Sequence, residues 1–407
     1  MPIDRERRSG ATPLAVRLAS AFAVLAAASC MSATPPATPP APSPMNDARV
    51  GLKAGLMNAG EALSNLKVVS KAASPEGFLG IMNSDLAFTG NHVVQGNYNG
   101  PVIWDISNPA RPQLVTAYNC PASQNDVSVF RNLMFMSAEA NNGRVDCAPG
   151  GVPDTVSKQR MRGVRVFDIS DIKNPRLVAN VQTCRGSHTH TVLEDPRDKA
   201  NVYIYVSGSA GVRSPNELEG CVRDTPTQNP NSSLLRIEII KVPLANPAAA
   251  AVVNRANIFS GLTSTRSHGP AQTDLDAAAK EAAAARAAGG FTAVQPGSGQ
   301  DMVIGGQFAR VLLDSIVKAR GGSGAPTGAD SAALRGGLQG IVNRIFGSPA
   351  APGGAISPGR QCHDITVYPA LGLAGGACEG HGLLIDISDP VNPVRLDAVA
   401  DSNFAYW

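Results

Sequence analysis

Three stretches decide how this chain is built: PVIWDISNPARPQLVTAYNC from Pro101, GVRVFDISDIKNPRLVANVQTC from Gly163, and GLLIDISDPVNPVRLDAVAD from Gly382. A degraded copy, LLRIEIIKVPLANP, starts at Leu234. Each copy is a short β-branched run, then Asp-Ile-Ser or its remnant, a Pro-bearing turn and a second strand. A strand-rich unit recurring about every 60 residues signals a repeat, and all-β units of this size build propellers. Aligned at their first strands, the units open at Ser84-Asp85, Asn125-Asp126, His190-Thr191 and His363-Asp364. Each continues as strands a, b, c and d, with c ending in Asp-Ile-Ser. In the second unit these are residues 127–130, 133–138, 164–169 and 176–181, and period-two alternation puts Val164 and Val166 on one face. The expected fold is therefore all-β, a β-propeller of four-stranded blades with about four blades present.

Outward from the repeat, two ends look unfinished. LKVVSKA, residues 66–72, reads as an orphan d strand that would complete a last blade, and the chain stops at Trp407 just after the fourth d strand. Truncation is the favoured expectation, and a ring closing at a low blade number the alternative. Residues 260–359 break the pattern and read as an Ala/Gly-rich helical insertion, with helices expected at 274–288, 302–320 and 331–346 and Gly289-Gly290 as the first stop. It is expected to pack on the rim or to form a lid over the axial opening. The resulting division is 1–30 leader, 31–62 Pro-rich tether, 63–259 blades 1–3 with the orphan strand, 260–359 insertion and 360–407 blade 4.

The leader carries Arg5, Arg7 and Arg8 before a short apolar run that ends at Ala27-Ala28-Ser29-Cys30. That arrangement reads as a signal peptide with a lipobox-like end, making Cys30 a candidate for lipidation, with ordinary secretion as the alternative. MSATPPATPPAPSPM, from Met31, is extended and cannot form a core. The formal charge is +3 over 407 residues, without a Lys/Arg cluster interleaved with aromatics, so nucleic acid is not an expected partner.

Setting Cys30 aside, Cys120, Cys184 and Cys362 precede the first strand of a unit, and Cys147, Cys221 and Cys378 follow the second. One disulfide per unit follows: Cys120–Cys147, Cys184–Cys221 and Cys362–Cys378. Structural zinc is the competing reading, but no Cys-x-x-Cys spacing occurs.

Asp105, Asp168 and Asp386 end c strands before Ser, where a carboxylate caps its own turn. Asp85, Asp126 and Asp364 are read the same way. Of the six histidines, His188, His190 and His363 lie where inner strands converge, with Asp364 beside them as ligand or orienting residue. Such a cluster suits copper, zinc, iron or nickel, and the plainer reading is a wet channel lining. Arg160, Arg162 and Arg165 could meet an anion, though a solvated loop is the simpler expectation. Neither a Gly-x-Ser-x-Gly elbow nor a phosphate-loop or dinucleotide motif is present.

VIWDIS, VRVFDIS and LLIDIS with their following Asn-Pro or Asp/Asn-x-x-Pro turns resemble the LVIVD repeats of bacterial and archaeal surface proteins. The resemblance implies a propeller at the cell surface and carries no catalytic residues. A more distant likeness is to the selenium-binding, methanethiol-oxidising propellers, which hold copper with axial histidines; only the clustered histidines suggest it. Two functions are thus expected. One is an exported, lipid-anchored scaffold binding a protein or small molecule at the envelope. The other is a metal-dependent periplasmic enzyme, such as an oxidoreductase.

Overall fold

The computed structural model describes residues 47–400, apart from 56–57, 225–227, 235, 259–261, 263–269, 297, 347–361 and 379. The leader, Cys30, most of the Pro-rich tether and His268 lie outside the described residues. The chain divides after Asn65. Before that point the described residues hold a turn in which Arg49 pairs with Asp47, and no helix or strand.

The second unit contains four antiparallel four-stranded meanders, each in simple chain order. Blade 1 is β1 (Asn83–Thr89), β2 (His92–Asn97), β3 (Val102–Asp105) and β4 (Gln113–Ala117). Blade 2 is β5 (Val127–Phe130), β6 (Leu133–Ala138), β7 (Gly163–Asp168) and β8 (Arg176–Gln182). Blade 3 is β9 (Thr191–Leu193), β10 (Asn201–Val206), β11 (Ile237–Pro243) and β12 (Ala251–Ala256). Blade 4 is β15 (Cys362–Tyr368), β16 (Leu373–Cys378), β17 (His381–Asp386) and β18 (Val394–Ala400). Successive blades meet through their first strands, β1 on β5, β5 on β9 and β9 on β15, so the expected inner position of strand a holds. The propeller-like all-β architecture read from the repeats is present.

Alternation explains the packing. Each of the two middle blades sends one set of side chains to the blade before it and the other set to the blade after it. Ile103, Met134, Met136 and Phe167 fill the space between blades 1 and 2. Leu133, Phe135, Val164, Val166, Ile204 and Ile240 fill that between blades 2 and 3. Tyr205, Ile239, Ile365, Leu383 and Ile385 do the same between blades 3 and 4. Val164 and Val166 thus share a face, while Phe167 points to the opposite neighbour. The outer faces of the end blades stay open, exposing Leu86 and Phe88 on β1 and Tyr368, Leu384 and Leu396 on blade 4.

The turn-capping reading of the repeated aspartates is borne out. Asp105, Asp168 and Asp386 each accept the backbone N–H two residues on, from Ser107, Ser170 and Ser388 at 2.8, 2.9 and 2.8 Å. The Ser107 and Ser388 hydroxyls, with those N–H bonds second, hold the Asp105 and Asp386 carboxyls below the usual carboxylate range. Strand c of blade 2 begins at Gly163, whose φ is +147°; a β carbon there would lie 2.0 Å from the Val181 carbonyl oxygen, so only glycine lets the start of β7 pair with the end of β8.

All three expected disulfides form. Cys362 and Cys378 are direct partners across β15 and β16 rather than flanking their strands. Three such bonds mark a chain that matures in an oxidising environment. No helix among the described residues is long and apolar enough to cross a membrane.

Two expectations need correction. Residues 66–72 do not form the orphan strand: they carry no ladder, and Ser70 instead donates its hydroxyl to the Pro109 carbonyl at 2.7 Å. The insertion is not purely helical. It contains α1 (Gln272–Ala287), the hairpin β13 (Phe291–Val294) and β14 (Asp301–Ile304), α2 (Gly306–Ala319) and α3 (Gly328–Phe346). Met302 to Ile304 pair with Phe291 to Ala293, and Gly305-Gly306 defers the helix expected to start at Met302. Ile304, Leu334, Leu338 and Val342 give this α/β insertion a small core of its own.

Candidate functional site

Between strands b and c, blade 2 carries a loop over residues 139–162 and blade 3 one over residues 207–236. Each is stapled by its blade's disulfide, through Cys147 and Cys221. Together the loops and Ser123 line an open cavity of about 680 Å³, within the size range of small-molecule sites. Its charged lining is Arg160, Arg162, Arg213 and Arg223 with Glu139 and Glu217.

Two of these arginines are spent on the wall. Glu217 accepts from Arg160 Nη1, from Arg213 Nε at 2.9 Å and from the Ser157 N–H at 2.8 Å. Arg160 also donates to the Asn141, Thr155 and Asp154 carbonyls, and Arg213 to the Arg160 carbonyl at 3.0 Å. Burial works against the Glu217 charge, but those donors outweigh it and keep the carboxyl below its usual range.

Arg162 differs. It is 5 % exposed, its Nη2 donates to the Gly211 carbonyl at 2.8 Å, and its Nε is buried with no hydrogen-bond partner among the described residues. Burial, reinforced by the charge of Arg213, pushes its guanidinium down to about 10. The solvated-loop expectation for Arg160, Arg162 and Arg165 therefore fails, because all three are buried. Arg165, fully buried, gathers the Cys120, Pro121 and Arg144 carbonyls and braces the disulfide-closed loop. Repeat alignment could not reveal this, since the partners lie in loops that differ between blades.

At the edge of the cavity Glu139 pairs with His188. Their Oε2 and Nδ1 atoms are 2.8 Å apart, and Ser209 Oγ also donates to Glu139. Burial opposes ionisation of Glu139, but the bonds from His188 and Ser209 prevail and lower its pKa. The hydrogen bond to Glu139 raises that of His188, against the effect of burial. Two residues before His188, Gly186 has a φ of +68°, and a β carbon there would meet the Ala138 carbonyl oxygen at 3.0 Å, so a side chain at this position would be strained.

The expected metal set is not assembled. His188 and His363 do meet, with ring centroids 5.3 Å apart. The segment bends at His188 and Thr189 before β9 begins, however, so strand alternation does not apply and His190 turns elsewhere. His190 Nδ1 lies 2.9 Å from Asp126 Oδ2 and 2.9 Å from Ser137 Oγ, which in turn meets Ser187 Oγ. The His190 side chain has no exposure, so it is a buried link between blades 2 and 3. Asp364 accepts the N–H of its own neighbour Ile365. Among the described residues no group of three or more His, Cys, Asp or Glu side chains is arranged to hold a metal ion.

The inner strands carry a carboxylate chain as well. Asp85 and Asp126 share a hydrogen bond across blades 1 and 2, and Asp126 accepts the His190 N–H at 2.9 Å. Burial and the neighbouring Asp126 raise Asp85 to about 6. Asp126 is lowered because the His190 imidazole and the bond from Asp85 outweigh its own burial. Asp85 is therefore the partner that keeps the proton. The self-capping expectation holds for Asp364 and for Asp85, which accepts the Leu86 N–H at 2.8 Å, whereas Asp126 reaches across to the next blade.

Residues 82–120, the whole of blade 1 and its exit, match the LVIVD repeat family model. No curated protein matches the chain. A solved hypothetical selenium-binding protein from Sulfolobus tokodaii is similar at 12 % identity and a TM-score of 0.29, over 77 % of this chain and 60 % of that one. The dihydro-heme d1 dehydrogenase NirN, solved with DHE, is similar at 12 % identity and a TM-score of 0.21, over 78 % of this chain and 57 % of its own. The chain thus spans less than two thirds of either structure.

Proposed function

We propose that this chain is an exported β-propeller binding module, held at the cell envelope by a lipid on Cys30, that takes a small-molecule ligand between the b–c loops of blades 2 and 3. One observation carries the reading: two irregular loops, each fastened by a disulfide, line an open cavity of about 680 Å³ whose polar wall is fixed by the buried Arg160–Glu217–Arg213 cluster. Loops held rigidly on a β scaffold are where propellers and sandwiches put recognition. The inner strands serve as the frame, because His190 has no exposed side-chain surface to offer a substrate.

The test is a thermal-stability screen of a chemically mixed small-molecule library against the wild type and Gly211→Trp. Gly211 lines the cavity, and a β carbon there would meet nothing within 4 Å, so the bulky side chain can be added without displacing a neighbour at its root. The expected result is a set of ligands that raise the midpoint of the wild type and not of Gly211→Trp. Equal stabilisation of both proteins by every hit would refute the site. Loss of membrane association on Cys30→Ser, with the protein still exported, is the expected result for the anchor.

A further inference from the structure

The cavity has more positive charge than its own carboxylates satisfy. Four guanidiniums line it against two carboxylates. Glu217 is shared by Arg160 and Arg213, and Glu139 is engaged by His188 and Ser209. Arg162 therefore has no carboxylate of its own within ion-pair distance among the described residues. Among the described residues its guanidinium donates to the Gly211 backbone carbonyl, and its buried Nε has no hydrogen-bond partner. Burying a guanidinium is costly unless an anion and a full set of acceptors compensate. Arg160 and Arg213 show the compensated arrangement in the same wall, which makes the incomplete one at Arg162 informative. Arg223, exposed in the same lining, adds charge at the open side.

We infer that this cavity is a seat for a small organic anion bearing a carboxylate or phosphate group, with Arg162 as its counter-ion. The inference rests on the ligand-binding reading above and supplies its ligand class. A planar guanidinium with unused donors matches both anions, and the fork favours two-point contact with either. Glu139 and Glu217 set a limit on the ligand, since both are ionised in the lining, act on Arg162 through their charge, and disfavour an anion placed against them.

The probes are succinate and inorganic phosphate, each measured against chloride at matched ionic strength, by calorimetry and thermal unfolding on the full disulfide-bonded protein. The wild type should bind at least one probe beyond chloride, and comparison of the two tells carboxylate from phosphate. Arg162→Gln should weaken that binding by at least about tenfold, as expected for losing a charge-assisted hydrogen bond. Arg162→Lys, which keeps the charge but not the fork, should fall between. Should Arg162→Gln fail to fold, Arg223→Gln changes only an exposed side chain and should still weaken binding and reduce its salt dependence. Absence of binding beyond chloride, or unchanged affinity in the Arg162 variants (in Arg223→Gln if those do not fold), overturns the inference. Failure here stays distinct from failure of the binding reading: uncharged library compounds lost in Gly211→Trp would refute the anion and keep the cavity, whereas no Gly211→Trp-sensitive ligand of any kind would refute both.

Discussion

Replacing Glu217 by Gln removes one charge and almost no volume from the most buried polar cluster of the loop face. The carboxylate is 3 % exposed, Arg160 6 % and Arg213 1 % in their side chains, so solvent cannot take over its role. The amide can still accept from the Ser157 N–H, but it leaves two guanidiniums without their counter-ion in a desolvated wall. Breaking a buried pair by removing one partner costs about 3–5 kcal/mol, and we expect Glu217→Gln to fall in that range. The assay is urea unfolding followed by both tryptophan fluorescence and far-ultraviolet circular dichroism, with coincident transitions and an unchanged slope as the condition for reading a free energy. Acid should mimic the substitution. The Glu217 pKa is lower in the folded chain than its ordinary value of 4.5, so its contribution is present above that value and is lost as the pH falls through the folded pKa. A loss below about 1 kcal/mol, the size of an exposed pair, would mean that the cluster is wet and that the wall is not fixed as described.

Other outcomes follow from the same geometry. Glu139→Gln should lower the His188 pKa in an NMR titration, because the bond to Glu139 is what raises it. In the wild type the His188 contribution is complete below its ordinary 6.5 and fades as the pH rises through the folded value. That of Glu139 is present above 4.5 and fades as the pH falls through its own, so the pair stabilises most between the two. Asp85 runs opposite to an ordinary Asp: with its folded pKa raised to about 6, its ionisation progressively destabilises the fold between about pH 4 and 6. Asp85→Asn should therefore flatten stability across that interval and be the more stable protein at neutral pH. Peptide mapping under non-reducing conditions should recover Cys120–Cys147, Cys184–Cys221 and Cys362–Cys378, and the Cys184→Ser/Cys221→Ser double variant should lose about 4 kcal/mol by the loop-entropy argument.

The frame was legible because it is written four times. Asp-Ile-Ser with its turn gave strand c and the capping role of Asp105, Asp168 and Asp386, and alternation around Val164 and Val166 identified a buried face. Cysteine positions relative to the repeat were enough to pair all six. The cavity was not legible. Glu139, Arg213 and Glu217 lie in loops without counterparts in other blades, so no periodicity singles them out, and a charged residue in a loop is ordinarily solvated. Arg160, Arg162 and Arg165 were visible as a cluster but not as buried, since the partners of Arg160 and Arg162 include a second loop about 50 residues further on, and those of Arg165 lie at Cys120, Pro121 and Arg144. The histidine set was not legible for a local reason: the chain bends at His188 and Thr189 before β9 begins, so convergence of the inner strands does not bring His188 and His190 to one point. The hairpin β13–β14 escaped because Met302–Ile304 runs into a helix-forming segment, and only pairing with Phe291–Ala293 draws it into a strand.

The central claim is that ligand is held between the b–c loops of blades 2 and 3, and hydrogen–deuterium exchange with and without a library hit or anion probe tests it most directly. The account predicts added protection confined to residues 139–162 and 207–223, with the strands of blades 1 and 4 unchanged and no added protection in Gly211→Trp. Protection centred on the inner strands around His190 and His363, or on the outer face of blade 4, would contradict it.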